Sequence, residues 1–272
     1  MSTQCLICSR TRISTALLTA ALACLPGAIP QVHASNAKPS VHEAVVETQG
    51  RTTPEISTDD MQAILSKGGA IVFDARPKDE YAIAHIPGSI NLDEKQLGRF
   101  TQTYTDRSAA IVVYSNGPFC DLARSKAAEL TRQGYTNVSR YQLGLPVWRI
   151  LGNAAETTLP GFRQIFRTGN AVIVDARDRA EYAAGTMPTA QSIRAGEAGK
   201  AKHDRRLQYL DPNTRIVVFA NSAVEARGVA EEISRNAFPN SSYFRGTYDD
   251  LKRERFFVER APSPYFLDGL NR

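Results

Sequence analysis

Short apolar runs alternate with amphipathic stretches along most of this chain. Four of the runs are unbroken and mostly β-branched, and they span residues 71–73, 111–114, 172–174 and 216–219. Such runs are typical of strands that are buried on both faces of a parallel sheet. Helical spacing appears before and between them, for example at Met61, Ile64 and Leu65 ahead of the first run. The pattern therefore predicts an α/β fold in which helices cover parallel sheets, with functional sites at the carboxyl ends of the strands.

The pattern occurs twice along the chain. Residues 71–81 match residues 172–182 at a constant offset of 101, and Asp, Ala, Arg, Glu and Tyr coincide without a gap. A repeat of about 100 residues has the size of a domain and is too long for a solenoid unit. We therefore predict two tandem domains, and we place them at about 53–153 and 158–257, with a linker at 35–52 and a C-terminal tail at 258–272.

Residues 1–34 have the character of an export signal. They contain Arg10 and Arg12, no acidic residue, an apolar run, and a small-residue cleavage site that ends at Ala34. We expect cleavage after Ala34 and a periplasmic or secreted protein. The apolar run is too short and too rich in proline for a membrane span. A loose resemblance to a lipoprotein signal makes anchoring at Cys24 the alternative form of export.

Charge and cysteine content limit the classes of function that the chain can have. The 33 basic and 28 acidic residues are scattered, and this small surplus does not indicate nucleic-acid binding. Cleavage after Ala34 would leave Cys120 as the sole cysteine, hence a free thiol, an intermolecular link or an inert buried side chain. Four histidines without paired spacing predict no metal site, and we expect no cofactor.

Several short motifs occur in the same order in both copies. The first copy contains Asp74-x-Arg76, Glu80-Tyr81, His85-Ile86-Pro87-Gly88, a strand, loop and helix around Tyr114, and Trp148 after Gly144. The second copy keeps Asp175-x-Arg177, Glu181-Tyr182 and Pro188, but it reads Thr186-Met187-Pro188-Thr189 at the third motif. In this order the motifs resemble the rhodanese family across nearly all of the chain that follows the predicted signal. The resemblance implies two tandem rhodanese-like domains, the second of them degenerate.

The resemblance also implies a chemistry for the strand ends. In the family, a cysteine directly after the strand takes sulfane sulfur from thiosulfate or a persulfide and passes it to a thiol acceptor. This chain has Ser115 after the first such strand and Ala220 after the second. A serine hydroxyl is scarcely ionised at neutral pH and does not undergo thiol exchange, so neither position can carry a persulfide.

The first loop nevertheless retains one sulfur atom. Residues 115–120 read Ser-Asn-Gly-Pro-Phe-Cys, which resembles a rhodanese subgroup with Cys-x-Gly-Pro-x-Cys and its first cysteine replaced. Cys120 is therefore the candidate catalytic residue, with Ser115 at the usual nucleophile position. We expect Asp121 to cap the following helix, which would place Cys120 where the helix dipole lowers a thiol pKa. If it did not cap the helix, its carboxylate would disfavour the thiolate.

The candidate substrate-binding residues are Asn116, Gly117, Arg124 and Arg76. Arg124 is the one basic residue of the first loop region, and it is either a ligand of an anionic donor or a solvated helix residue. Arg76 follows an Asp by two residues at a strand end, so it is either a substrate ligand or part of an ion-paired scaffold. His85 precedes Ile-Pro-Gly, which suggests a fixed hydrogen bond.

Two functions from different classes follow from these observations. The first is a sulfurtransferase of the thiosulfate type, which moves sulfur through Cys120 between a small sulfur-containing anion and a thiol acceptor. The second is a catalytically inactive rhodanese-fold module that binds a small anion or a protein partner in the periplasm. A phosphatase is excluded, because Cys120 and Arg124 are separated by three residues instead of five. Since the second loop has no sulfur, any chemistry is expected in the first copy.

Overall fold

The computed structural model describes residues 53–207 and 210–254, without the side chain of Glu94. The predicted signal, the linker at 35–52 up to Thr52, and the tail at 258–272 lie outside these residues. The described residues form two α/β domains, each built on a parallel sheet, and this confirms the predicted fold class. Within this part of the chain, no helix has both the length and the apolar character that a membrane span requires.

The first domain contains a four-stranded sheet. Its helices are α1 (Thr58–Lys67), α2 (Lys78–Ile83), α3 (Glu94–Thr103), α4 (Leu122–Arg132) and α5 (Gly144–Ile150). Its strands are β1 (Ile71–Asp74), β2 (Ile90–Asn91), β3 (Ile111–Tyr114) and β4 (Val138–Tyr141). The strand order is β2-β1-β3-β4, and all pairings are parallel. The carboxyl ends of β1 and β3 therefore lie side by side at one edge of the sheet.

The second domain repeats this arrangement and adds one strand. Its helices are α6 (Leu159–Thr168), α7 (Arg179–Ala184), α8 (Ala198–Ala201), α9 (Ala223–Arg235) and α10 (Tyr248–Arg253). Its strands are β5 (Ala155–Thr157), β6 (Val172–Asp175), β7 (Gln191–Ser192), β8 (Ile216–Phe219) and β9 (Ser241–Phe244). The strand order is β5-β9-β8-β6-β7, again with parallel pairing.

The segment between the domains is more ordered than the sequence predicts. We expected a junction near residues 153–157, and residues 155–157 instead form β5 at the edge of the second sheet. The corresponding place in the first domain has a single bridge between Glu55 and Arg140. Ala-Glu-Thr has no apolar alternation, so the pairing depends on the tertiary position of this segment.

Burial on both faces explains why the central strands are uniformly apolar. All four residues of β3 are buried, and so are all four of β8. Along β3, Ile111 and Val113 pack into one core cluster while Val112 and Tyr114 pack into the other. This alternation is the period-two geometry of a strand between two helical layers.

Backbone contacts join the two domains. The N–H and hydroxyl of Thr158 both donate to the carbonyl of Ala82, at 3.0 and 3.1 Å, and the Thr157 hydroxyl donates to the carbonyl of Ile83 at 2.8 Å. Gly161 on α6 lies against the backbone of Ala82 on α2, and a Cβ at position 161 would be 1.9 Å from the Ala82 oxygen. Helices α2 and α6 can approach this closely only because position 161 has no side chain.

Candidate functional site

The loop after β3, residues 115–121, lies at the carboxyl edge of the first sheet. Ser115 is its first residue and is only 2% exposed. The carbonyl of Ser115 accepts a hydrogen bond from the N–H of Leu145 at 3.1 Å, which ties the loop to the start of α5. Ser115 therefore forms the buried base of the loop, at the end of a central strand.

Two glycines shape this loop. Gly117 has a φ of 111°, and its carbonyl accepts from the N–H of Cys120 at 3.0 Å. Gly144 has a φ of 66°, and a Cβ there would lie 2.3 Å from the Ser115 oxygen and 2.5 Å from the Gly117 nitrogen. Both positions need glycine, because their conformation disfavours a side chain and because the loop fills the space at Gly144. The contact between Gly144 and the loop could not be predicted from the sequence.

The turn brings the Cys120 thiol back to Ser115. Burial raises the pKa of this half-buried thiol, but hydrogen bonding to the Ser115 hydroxyl and to the backbone N–H groups of Leu122 and Asn116 outweighs that effect. The pKa of Cys120 consequently lies below its ordinary value of 9.0. The Ser115 hydroxyl also lies 3.4 Å from the carbonyl of Cys120. These groups favour the thiolate, which is the nucleophilic form of cysteine.

Asp121 takes the predicted position before α4 but not the predicted role. Its φ and ψ, −73° and −8°, are already helical, and its side chain makes no capping hydrogen bond. Side-chain capping usually requires an extended backbone at this residue, so the prediction that the carboxylate caps α4 is wrong. The carboxylate instead forms an ion pair with Arg124. The acidic neighbour of Cys120 and the one basic residue of the loop region are therefore paired with each other.

Asn116 and Arg76 both donate hydrogen bonds to other residues of the first domain. The Asn116 side-chain amide donates to Glu80 Oε2 at 2.9 Å. Arg76 is 4% exposed, and it donates to the Asp74 carboxylate and to the carbonyl of Ala84, the latter at 2.6 Å. This geometry supports the ion-paired interpretation of Arg76.

The second domain has the same supports around a loop without sulfur. Ala220 is fully buried at the end of β8, and Asn221 donates to Glu181 at 2.7 Å, as Asn116 does to Glu80. Arg177 donates to the Asp175 carboxylate and to the carbonyl of Gly185. The scaffold is thus shared, whereas the thiol occurs in the first loop alone among the described residues.

His85 makes the fixed hydrogen bonds that its motif suggests. It is fully buried, with Nδ1 at 2.8 Å from the carbonyl of Tyr81 and Nε2 at 3.2 Å from Glu156 Oε1. Burial raises the pKa of Glu156, but the contacts with His85, Arg245 and Tyr243 outweigh it and hold this pKa below 4.5. Glu156, which sequence reasoning did not identify, therefore links β5 to the first domain. Between residues 53 and 254, in the described part, no group of potential ligands is arranged to hold a metal ion.

A comparison with family models agrees with the fold. The model of the rhodanese-like domain matches residues 57–151 and 159–254. Together these matches cover more than half of the chain, so the chain belongs to the rhodanese family and contains two rhodanese-like domains.

Curated relatives include a sulfurtransferase and a regulator. The thiosulfate sulfurtransferase GlpE of Pseudomonas fluorescens is 33% identical over 85 residues, which is 31% of this chain and 75% of that protein. The HTH-type transcriptional regulator Rv0324 of Mycobacterium tuberculosis is 29% identical over 134 residues, 49% of this chain. The match spans 58% of the length of that regulator.

Solved structures that resemble this chain include a thiosulfate sulfurtransferase and a 3-mercaptopyruvate sulfotransferase. The thiosulfate sulfurtransferase of Pseudomonas aeruginosa is 21% identical, covering 74% of this chain and 42% of that one, with a TM-score of 0.34. SseA of Escherichia coli, a 3-mercaptopyruvate sulfotransferase, is 19% identical, covering 72% of this chain and 99% of that one, also with a TM-score of 0.34. At these scores the structural likeness adds no further conclusion.

Proposed function

We propose that this chain is a sulfurtransferase in which Cys120 of the first domain carries sulfane sulfur. The observation that supports it is the contact between Ser115 and Cys120. Ser115 stands where the resembling enzymes have their nucleophile, and its hydroxyl helps to lower the pKa of the Cys120 thiol. The thiol thus takes the missing residue's place from the other end of the loop.

The proposed reaction needs only a donor and an acceptor. The Cys120 thiolate attacks the outer sulfur of thiosulfate or of a persulfide, and a new S–S bond forms while the donor's S–S bond breaks. Sulfite or a thiolate leaves with the electron pair. An acceptor thiolate then attacks the terminal sulfur and releases the Cys120 thiolate. The N–H groups of Asn116 and Leu122 would stabilise negative charge on the sulfur throughout.

In this proposal Ser115 is a hydrogen-bond donor and not a nucleophile. Its hydroxyl is buried and faces the loop. It would help to hold the thiolate at the base of the loop, where the backbone amides converge.

Mass spectrometry of the mature protein from residue 35 onward, in which Cys120 is the sole cysteine, tests the proposal after treatment with a sulfane donor. We expect a gain of one sulfur atom, its loss when a thiol acceptor is added, and no gain in Cys120→Ala. Ser115→Ala is the matched control, because it retains the thiol and should still take up sulfur at a lower rate. A protein that gains sulfur equally well without Cys120 would contradict the proposal.

A second candidate function is a catalytically inactive module that binds a small anion or a protein partner. It is favoured by the loss of sulfur at both strand ends, Ser115 and Ala220. The same experiment separates the two functions. An inactive module would gain no sulfur from any donor even though the Cys120 thiol reacts with an alkylating reagent.

We further propose that the protein is exported and that its signal is cleaved after Ala34. Residues 10–34 support this with basic residues, an apolar run and a small-residue cleavage site. Terminal sequencing of the protein from its native cell should begin at Ser35. A lipid-modified Cys24 would indicate the lipoprotein alternative, and retention of residues 1–34 would contradict export.

A further inference from the structure

Two cations near the first loop already have carboxylate partners. Arg124 forms an ion pair with Asp121, so an anionic donor would compete with that carboxylate. Arg76 is buried, and its guanidinium contacts the Asp74 carboxylate and the carbonyl of Ala84. A doubly charged donor such as thiosulfate would therefore meet no unpaired charge on these two guanidinium groups.

A carboxylate also acts on the thiol. Glu80 is held beside the loop by Asn116 at 2.9 Å, and its charge opposes the lowering of the Cys120 pKa. The nearest nitrogen of Arg76 lies 3.7 Å from Glu80, on a side chain that is buried beneath the loop. Since 46% of the Glu80 side chain is exposed, its charge also reaches a ligand that approaches through solvent.

The residues on either side of Cys120 are apolar and exposed. Phe119 is 89% exposed and Leu122 is 40% exposed. An aromatic ring left in water next to a nucleophile provides apolar area that an organic group can cover, and covering it is favourable. Inorganic thiosulfate has no such group.

We infer that Cys120 accepts sulfur from a persulfide with an uncharged organic group in preference to the doubly charged thiosulfate, with Phe119 and Leu122 contacting the organic group. This inference rests on the proposed function. The Cys120 thiolate attacks the outer sulfur of R–S–SH, the S–S bond of the donor breaks, and the products are Cys120–S–SH and the thiolate R–S⁻. No oxidant or reductant is needed, because the donor already contains the sulfane sulfur.

The test compares two donors on the full-length protein at neutral pH. The rate of sulfur uptake at Cys120 is measured by mass spectrometry with benzyl hydropersulfide and with thiosulfate. Each rate is divided by the rate at which the same donor reacts with free N-acetylcysteine, which removes the difference in intrinsic reactivity. We expect the normalised rate for the organic donor to exceed that for thiosulfate by about tenfold or more, as expected from apolar contact and charge repulsion.

Three variants separate the apolar and electrostatic contributions. Phe119→Ala should lower the ratio of organic to thiosulfate uptake severalfold by removing apolar contact. Asp121→Asn should also lower the ratio, because it releases Arg124 to attract thiosulfate. Val224→Ala is the matched control, since Val224 is an 82% exposed apolar residue in the second domain and should leave the ratio unchanged.

The outcomes distinguish this inference from the proposed function. A normalised thiosulfate rate equal to or above the organic rate, or a ratio that Phe119→Ala does not change, overturns the donor preference while sulfur transfer stands. Absence of sulfur uptake from both donors overturns the proposed function, and the donor preference with it.

Discussion

Asp74 in the first domain and Asp175 in the second make the same contacts. Each buried carboxylate accepts from the guanidinium of an arginine two residues later, and that arginine also donates to a backbone carbonyl eight residues further along. Asparagines in the two loops likewise donate to a glutamate at matching positions. These shared contacts hold the loop after the central strand in both domains.

The domains differ at the end of that strand. In the first, the Tyr114 hydroxyl donates to Asp74 at 2.8 Å, and in the second, where Phe219 has no hydroxyl, Thr186 donates to Asp175 at 2.6 Å. The first loop then contains Ser115 and Cys120, whereas the second contains Ala220. The buried ion pair and the asparagine contact are therefore retained in a loop that has no sulfur atom, because they depend on residues outside positions 115, 120 and 220.

The shared scaffold should respond in the same way in both domains. Asp74→Ala and Asp175→Ala each leave a buried arginine without its carboxylate, and we expect each to lower the free energy of unfolding by about 3–5 kcal/mol. Urea denaturation measures the loss. A large loss in one domain with almost none in the other would contradict a common scaffold.

The shape of the first loop should depend on Gly144. Gly144→Ala places a Cβ 2.3 Å from the Ser115 oxygen, so the loop must move, and we expect sulfur uptake at Cys120 to fall by about 100-fold. Gly88→Ala is the control, because Gly88 also has a positive φ but has open space around it. It should cost about 1 kcal/mol of stability and leave uptake nearly unchanged. Equal uptake in the two variants would contradict the role of Gly144.

The contact between Glu156 and His85 should make the free energy of unfolding decrease at low pH. The pKa of Glu156 is lowered in the folded protein, so its contribution is complete above about 4.5 and is lost as the pH falls through the folded pKa. Glu156→Gln should remove about 1–2 kcal/mol at neutral pH and weaken the decline in acid. Urea denaturation between pH 3 and 7 measures both effects. An unchanged pH profile would show that Glu156 is not the group responsible.

Substitution of Ser115 should have a smaller effect than the changes described above. Because its hydroxyl helps to lower the Cys120 pKa, Ser115→Ala should raise that pKa and slow alkylation of Cys120 at neutral pH severalfold. Alkylation of the wild-type thiol should increase with pH and reach its half-maximal rate below pH 9.0. Mass spectrometry of the Cys120 peptide measures both rates. Identical profiles for the two proteins would contradict a hydrogen bond to the thiol.

Local sequence patterns predicted much of this fold. Four apolar runs gave the central strands, since burial on both faces leaves an unbroken apolar signal. The Asp-x-Arg motif offered an ion-paired scaffold as one of two interpretations of Arg76, and the structure shows this ion pair at both Arg76 and Arg177, whose partners are two residues away. Strand β5 escaped prediction, since its pairing depends on the position of another strand and not on its own composition.

The site was harder to predict than the fold. Sequence identified both Ser115 and Cys120 but gave no reason for them to touch. Their contact arises from the positive φ of Gly117 and from the approach of Gly144, which is distant in sequence. The failed prediction for Asp121 has a similar cause, because the conformation of the whole loop decides whether its backbone is extended or helical.

Mapping sulfur in the wild-type protein shows whether Cys120 carries it. The full chain is treated with a sulfane donor, the persulfide is trapped by alkylation, and the peptides are analysed by mass spectrometry. We expect one additional sulfur atom on the peptide that contains Cys120, removable by a thiol acceptor. An alkylated Cys120 peptide without extra sulfur under every donor would contradict sulfur transfer through Cys120.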